Sequence, residues 1–361
     1  MTHFLRDILR QPDELRRTID YLCREGGRSL DAAVAAIRGA QHVYLTGIGS
    51  SWHAALSVGA LFFQSARPVY MQDASELLQF SSFPPGAAII VLSRSGRSIE
   101  IVQLLAKARE SGATVVGVTN SAEGRLAKEA HISIVIPVEM DHAISVNTYS
   151  TLAAAAGILA SSVARPFDSA LAASLSRSIA EAATAIPGWQ QQLADAAWLA
   201  PQGTYYFLAR GPSLGSCQEA RLLWEEGVKS PATAMGTGSF RHGPQEIVAR
   251  DVRFGMWIDG SRMREQDLAV ARDLRQLGAR VMLIGQKLSH DAGELVFQLP
   301  AIVSEWQFLI DSIPAQLAAE RLSLLSGVDC DSFRLSSYIV EDEYGLLPKE
   351  AGKEKPLGKT L

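Results

Sequence analysis

One arrangement occurs twice in this chain: an apolar strand, a turn of glycine with small or hydroxyl residues, then a helix. HVYLTGIGSS runs into WHAALSVGALFFQSA, and GTYYFLARGPSLG runs into SCQEARLLWEEGVKS. Around the first copy lie the strand patterns PVYMQDA, AAIIVLSRSGRS, TVVGVTN and HISIVIPV, with the helix patterns IEIVQLLAKARESG and NTYSTLAAAAGILASSVA between and after them. Around the second lie the strands RFGMWIDG, VMLIGQ and ELVFQLP and the helices AVARDLRQLGA and PAQLAAERLSLLSGV. Strands that alternate with helices predict an α/β fold, with mostly parallel sheets covered by helices on both faces. The repeat predicts two such αβα domains, over 35–165 and 195–340, joined by a helical connection over 166–194. A helical lead-in occupies 1–34, with Leu9, Leu15, Ile19 and Leu22 at helical spacing and Pro12 opening a new helix after Gln11. The stretch 341–361 is polar and rich in Gly, Pro and Lys, and reads as a tail.

Composition removes several function classes. The net charge is −4 with no block of one sign, which argues against a nucleic-acid partner. The longest apolar stretch, near 151–163, is too short and too Ser-rich to span a bilayer, so no membrane partner is expected. The N-terminal MTHFLRDILRQPDELRR lacks the apolar run of a signal peptide, and a cytoplasmic location is expected. Cys23, Cys217 and Cys330 are widely spaced, and no histidine pair has the HExxH pattern. Neither a metal nor another cofactor is expected.

Two turns in the first repeat carry the chemistry. Gly47-Ile48-Gly49-Ser50-Ser51 and Ser93-Arg94-Ser95-Gly96-Arg97-Ser98 both follow strands and precede helices. In a parallel sheet both lie at the carboxyl ends of strands, where ligands bind. Unpaired N–H groups, hydroxyls and the helix dipole there converge on an anion such as phosphate. Neither turn is a Walker A loop or a GxGxxG fingerprint. Glu219 and Glu226, seven residues apart, can share one helix face. From its pattern alone Glu226 reads as a solvated helix carboxylate. His242 lies in the loop RHGP, and loop histidines beside Gly and Pro point to function. His53 reads as a capping or packing residue.

These segments, taken in order, resemble the sugar isomerase (SIS) family, in particular the isomerase half of glucosamine-6-phosphate synthase. LSRSGRS resembles the family's LSQSGET-type phosphate loop, GIGSSWHAA its Gly-Thr-Ser turn, and HAISVNTYST its V-A-S-T-K-A-F-T segment. EARLLWEEG with SFRHGPQEIV resembles its E-G-A-L-K-L-K-E and L-K-H-G-P segments, and GVDCDSFRLSSYIVE its C-terminal loop. The resemblance covers about residues 4–342, without the glutaminase domain. It implies two SIS domains, a phosphorylated sugar or amino sugar as ligand, and a homodimer with sites near the subunit interface. It also implies that Ser93, Ser95 and Ser98 hold the phosphate, with Arg94 in the loop. Ser50 and Ser51 would touch sugar hydroxyls or phosphate, and Ala143 and Ser145 would line the sugar. Glu226 would be the base and His242 the ring-opening or proton-shuttling residue; Tyr338 and His142 are further candidates. A carboxylate paired with an imidazole suits proton transfer between carbons 1 and 2 of a sugar.

Three lysines of the family pattern are replaced here, by Leu223, by Asn147 and by Tyr338 or a neighbour. Of eight lysines in the chain, four (Lys349, Lys353, Lys355 and Lys359) fall in the tail. The expected reaction is enediol- or enaminol-type proton transfer on a phosphorylated ketosamine or amino sugar, ending in isomerisation or deamination. The related 6-phosphofructosyl-amine deglycases keep the Glu–His pair without the lysines and supply one alternative. A non-catalytic phosphosugar sensor is the other, though a sensor needs the phosphate loop and no base.

Overall fold

The computed structural model describes residues 1–65, 68–335, 337–343 and 345–346. The lead-in is α1 (His3–Cys23) and α2 (Gly27–Gly39). The first αβα layer then runs β1 (His42–Thr46), α3 (Ser50–Gln64), β2 (Tyr70–Met71), α4 (Ala74–Phe80), β3 (Ala87–Ser93), α5 (Ile99–Ser111), β4 (Thr114–Thr119), α6 (Arg125–Glu129) and β5 (Ile132–Val135). Two long helices follow, α7 (Asn147–Ala164) and α8 (Ser169–Ala194). The second layer runs β6 (Tyr205–Ala209), α9 (Ser213–Leu223), β7 (Ala232–Gly236), α10 (Thr237–Phe240), β8 (Arg253–Trp257), α11 (Arg264–Gln276), β9 (Arg280–Gly285), β10 (Leu295–Gln298) and α12 (Ile313–Leu325).

Each sheet has five strands, ordered β2-β1-β3-β4-β5 and β7-β6-β8-β9-β10, and the pairings within both are parallel. The two orders are the same permutation. In both, the strand order reverses between the first and third strands, which leaves a crevice beyond their carboxyl ends. Central strand β3 is buried at every position, as its unbroken AAIIVL run requires. α3 packs against both α7 and α9, and so joins the halves. One apolar cluster runs through both halves, and each sheet has a smaller cluster on its other face.

Three expectations need correction. α1 is continuous through Pro12, which is itself buried. Proline removes one helical hydrogen bond, but α1 also buries Ile8, Leu15, Ile19 and Leu22. At about 1.5–3 kcal/mol for each such side chain, that burial outweighs the break. Leu9 falls outside this face and is 40% exposed. Finally, the helix behind the second glycine turn does not stay α-helical: Trp224–Val228 forms a π-helical turn. Among the described residues no helix is long and apolar enough to cross a membrane.

Candidate active site

The crevice of the first sheet holds a cavity of about 230 Å³. Its floor is the turn after β1, where Gly49 takes φ +55°, a region that L side chains avoid, and turns Ser50 and Ser51 into the first turn of α3. One wall is the turn after β3. Ser93 Oγ accepts the Gly96 N–H at 3.0 Å, Ser95 Oγ accepts that of Arg97 at 3.2 Å, and Ser51 Oγ accepts that of Arg94 at 3.3 Å. Each hydroxyl therefore spends a lone pair on the backbone and keeps its own hydrogen to give. Ser98 sits at the N-cap of α5 without a side-chain capping bond. Three O–H groups in the turn before α5, with that of Ser51 at the start of α3, suit a phosphate dianion.

The second wall is the segment before α7. Asp141 accepts from the backbone N–H groups of Val146, Asn147 and Thr148 at 3.0, 3.0 and 2.9 Å, and from the Asn147 and Thr148 side chains, both at 2.7 Å. This cap fixes Ala143 and Ser145 against the cavity. Arg94 turns away from the serines and spans the mouth. Its Nη1 donates to Ala143 O at 3.3 Å and Ser145 Oγ at 3.2 Å, and its Nη2 donates to Tyr338 O at 3.0 Å. Tyr338 packs edge-on against Phe333, and Val340 O accepts the Ile99 N–H at 3.0 Å. The C-terminal segment thus crosses the opening.

Glu226 enters from the second half of the molecule on the π-helical turn, and such turns re-aim side chains at functional sites. Burial, foremost, and then the Glu219 and Glu225 carboxylates push its carboxyl up to about 7, against the pull of Arg94 and Lys229. A carboxyl of that proton affinity accepts and returns a proton near neutral pH. The cavity is therefore lined by both hydroxyl donors and a tuned carboxyl.

Residues 36–161, which contain both turns, match the family model of the SIS domain. These residues are a SIS domain. The chain is 23% identical over 337 residues to the glutamine–fructose-6-phosphate aminotransferase [isomerizing] of Sulfolobus acidocaldarius, a match that covers 92% of this chain and 55% of that protein. It thus spans about half the length of the curated relatives it matches. Its fold is similar to the C-terminal domain of the Francisella tularensis glucosamine-fructose-6-phosphate aminotransferase, with a TM-score of 0.81 at 18% identity over 91% of this chain and 97% of that one. It is also similar to a Thermotoga maritima glucosamine-6-phosphate deaminase, with a TM-score of 0.77 at 19% identity over 94% and 99%. With the shared strand order, the second sheet completes a pair of SIS-type αβα domains.

Around the first SIS domain's cavity the fold gathers Ser50, Ser51, Ser93, Arg94, Ser95, Ser98, Ala143, Ser145, Glu226 and Tyr338. It does not bring His242 there: that residue is exposed on the turn after α10. His142 also stays outside, with its ring stacked on His3 at 4.0 Å and its N–H on Asp7 Oδ2 at 2.8 Å. Leu223 and Asn147 are buried, and Asn147 serves the Asp141 cap. Among the described residues no lysine lines the cavity. Lys229 comes nearest to Glu226, but its ammonium is committed to the backbone carbonyls of Glu226 and Ser332. Lys349, Lys353, Lys355 and Lys359 lie outside the described residues. No group of three or more His, Cys, Asp or Glu is placed to hold a metal ion among the described residues.

Sequence reasoning missed Glu100 and Asp141. Glu100 lines the cavity with one carboxyl oxygen unpaired. Asp141 shapes the wall without touching the cavity, and its spacing five to seven residues before its partners carries no capping signature.

Proposed function

We propose that this protein is a phosphosugar enzyme that moves a proton between adjacent carbons of a phosphorylated ketosamine or amino sugar. The observation that carries this reading is the pairing, across one cavity, of the SRSGRS hydroxyls with a carboxyl held near neutrality. The turn after β3 binds the phosphate. Glu226, ionised, takes the proton from carbon 1 or 2, and an enediol or enaminol forms. The protonated Glu226 returns the proton to the neighbouring carbon. A sensor that only binds the sugar needs no buried carboxyl tuned in this way.

The reaction ends in isomerisation, deamination or deglycation. Among the described residues no lysine lines the cavity to form an imine with the sugar; in this reading the substrate brings its own nitrogen. The resemblance implies a homodimer. His242 enters the scheme only as a residue that a second copy brings to this cavity. The enzyme works in the cytoplasm.

The deciding experiment offers fructose 6-phosphate, glucosamine 6-phosphate and a 6-phosphofructosyl-amine in deuterium oxide and follows carbons 1 and 2 by NMR. Deuterium enters at one of them with wild-type protein and not with Glu226→Gln. Borohydride added during turnover leaves no sugar on the protein. Equal deuterium uptake by both proteins, or a sugar–lysine adduct, overturns the assignment.

A further inference from the structure

Ser50 differs in polarity from Ser51, Ser93 and Ser95, which accept backbone N–H groups. Its Oγ donates to Glu219 Oε1 at 3.0 Å, so its hydrogen points away from the ligand space and its lone pairs remain. Glu219 is 1% exposed, and its other oxygen, Oε2, lies 2.7 Å from Nδ1 of His53, itself 4% exposed. Two hydrogen-bonding groups converge on one carboxyl, which is the arrangement of an ionised acceptor, and the shared proton then sits on His53 Nδ1. The contact joins α3 of one half to α9 of the other. It is possible because the helices nearly touch at Gly215, where a Cβ would fall 2.3 Å from His53 O and 2.0 Å from Ser57 Oγ.

We propose that Glu219 and His53 are positioning residues that fix Ser50 as a hydrogen-bond acceptor for an O–H or N–H group of the substrate. Ser51, Ser93 and Ser95 keep their hydrogens and serve the phosphate; Ser50 has none to give. It lies with Glu226 on the same cavity and receives the donor-bearing part of the sugar. This assignment rests on the phosphosugar reading and narrows it: phosphate at one end, a hydroxyl or amine hydrogen at Ser50.

Calorimetric titration with a hexitol 6-phosphate and with inorganic phosphate separates the two ends. Ser50→Ala weakens the hexitol phosphate about fivefold to tenfold, the usual worth of one hydrogen bond, and leaves inorganic phosphate within about twofold. Glu219→Gln does the same with Ser50 still present, because the amide oxygen takes the His53 N–H and the amide nitrogen donates to Ser50, which turns its hydrogen into the cavity. The double variant is no weaker than either single one. His53→Asn keeps a donor and binds like wild type. Wild-type affinity in Ser50→Ala, or equal losses for both ligands, overturns the proposal; Ser50→Ala decides it even where Glu219→Gln fails to fold. A wild type that binds phosphate but no hexitol phosphate removes the Ser50 assignment and leaves the phosphate loop. A wild type that binds neither removes the phosphosugar reading as well.

Discussion

The two sheets share one strand order, and each opens its crevice behind a glycine of positive φ, +55° at Gly49 and +54° at Gly211. The first crevice keeps the hydroxyl hydrogens of Ser51, Ser93 and Ser95 unspent. In the second, Ser213 and Ser216 give their hydrogens to the buried Asp311 carboxyl, at 2.6 and 2.5 Å. After β8, where the first half has its serine loop, the Asp259 carboxylate takes the N–H groups of Arg262 and Met263, both at 2.7 Å, and of Ser261 at 3.4 Å. An acidic side chain fills the place that an anion would take. The same backbone topology thus makes either a ligand site or an internally satisfied joint, according to where the carboxylates stand. The second half contributes Glu226 instead, across the joint and into the crevice of the first.

That division of labour can be broken at several points. The largest effect is expected at the carboxyl that crosses between halves. Glu226→Gln should lower deuterium incorporation by about two to four orders of magnitude, the usual contribution of general acid–base catalysis, while hexitol phosphate still binds. Next comes the contrast between the two serine pairs. Ser213→Ala with Ser216→Ala takes two donors from a buried carboxyl and should cost about 2–5 kcal/mol in urea unfolding, with phosphate affinity unchanged. Ser93→Ala with Ser95→Ala should weaken hexitol phosphate at least about tenfold, with unfolding free energy within about 1 kcal/mol of wild type. Reversed outcomes for the two pairs would dissolve the comparison.

A pH series sharpens it further. The folded state holds the Glu226 proton up to about 7, against 4.5 ordinarily, so ionising it opposes folding. Its contribution to stability is therefore greatest below about pH 4.5 and falls as pH rises through about 7. Glu226→Gln should gain melting temperature relative to wild type above pH 7, and the gap should close below about 4.5. Wild-type turnover should climb with pH through about 7 as the base ionises. The smallest effect is expected at Asp259→Ala, which frees backbone donors open to water and should cost about 1 kcal/mol.

Much of this was legible beforehand. The helix pattern NTYSTLAAAAGILASSVA coincides with α7, and the paired glycine turns predict the paired crevices. The serine turns announce themselves because their residue types and their place after a strand carry the chemistry locally. β7 and α4 were not anticipated: ATAMG has no alternation and is only half-buried, and ASELLQF is a short helix among loops. The π-helical turn that aims Glu226 has no local signal either, since WEEGV continues a helical pattern. Glu219 was placed on the face of Glu226 by its seven-residue spacing. Its partners Ser50 and His53 lie 169 and 166 residues away, beyond the reach of any local pattern.

By itself, the order of residues determined the alternation of strands and helices, the duplication, and which turns carry hydroxyls, because these depend on periodicity and on backbone rules that act over a few residues. Tertiary structure alone decided which hydroxyls keep their hydrogens, which carboxyl is pushed up to about 7, and that His242 stands apart from the cavity. Hydrogen-bond direction and proton affinity depend on what lies within a few ångströms. For Ser50 the deciding neighbour, Glu219, comes from α9, brought against α3 by close packing at Gly215.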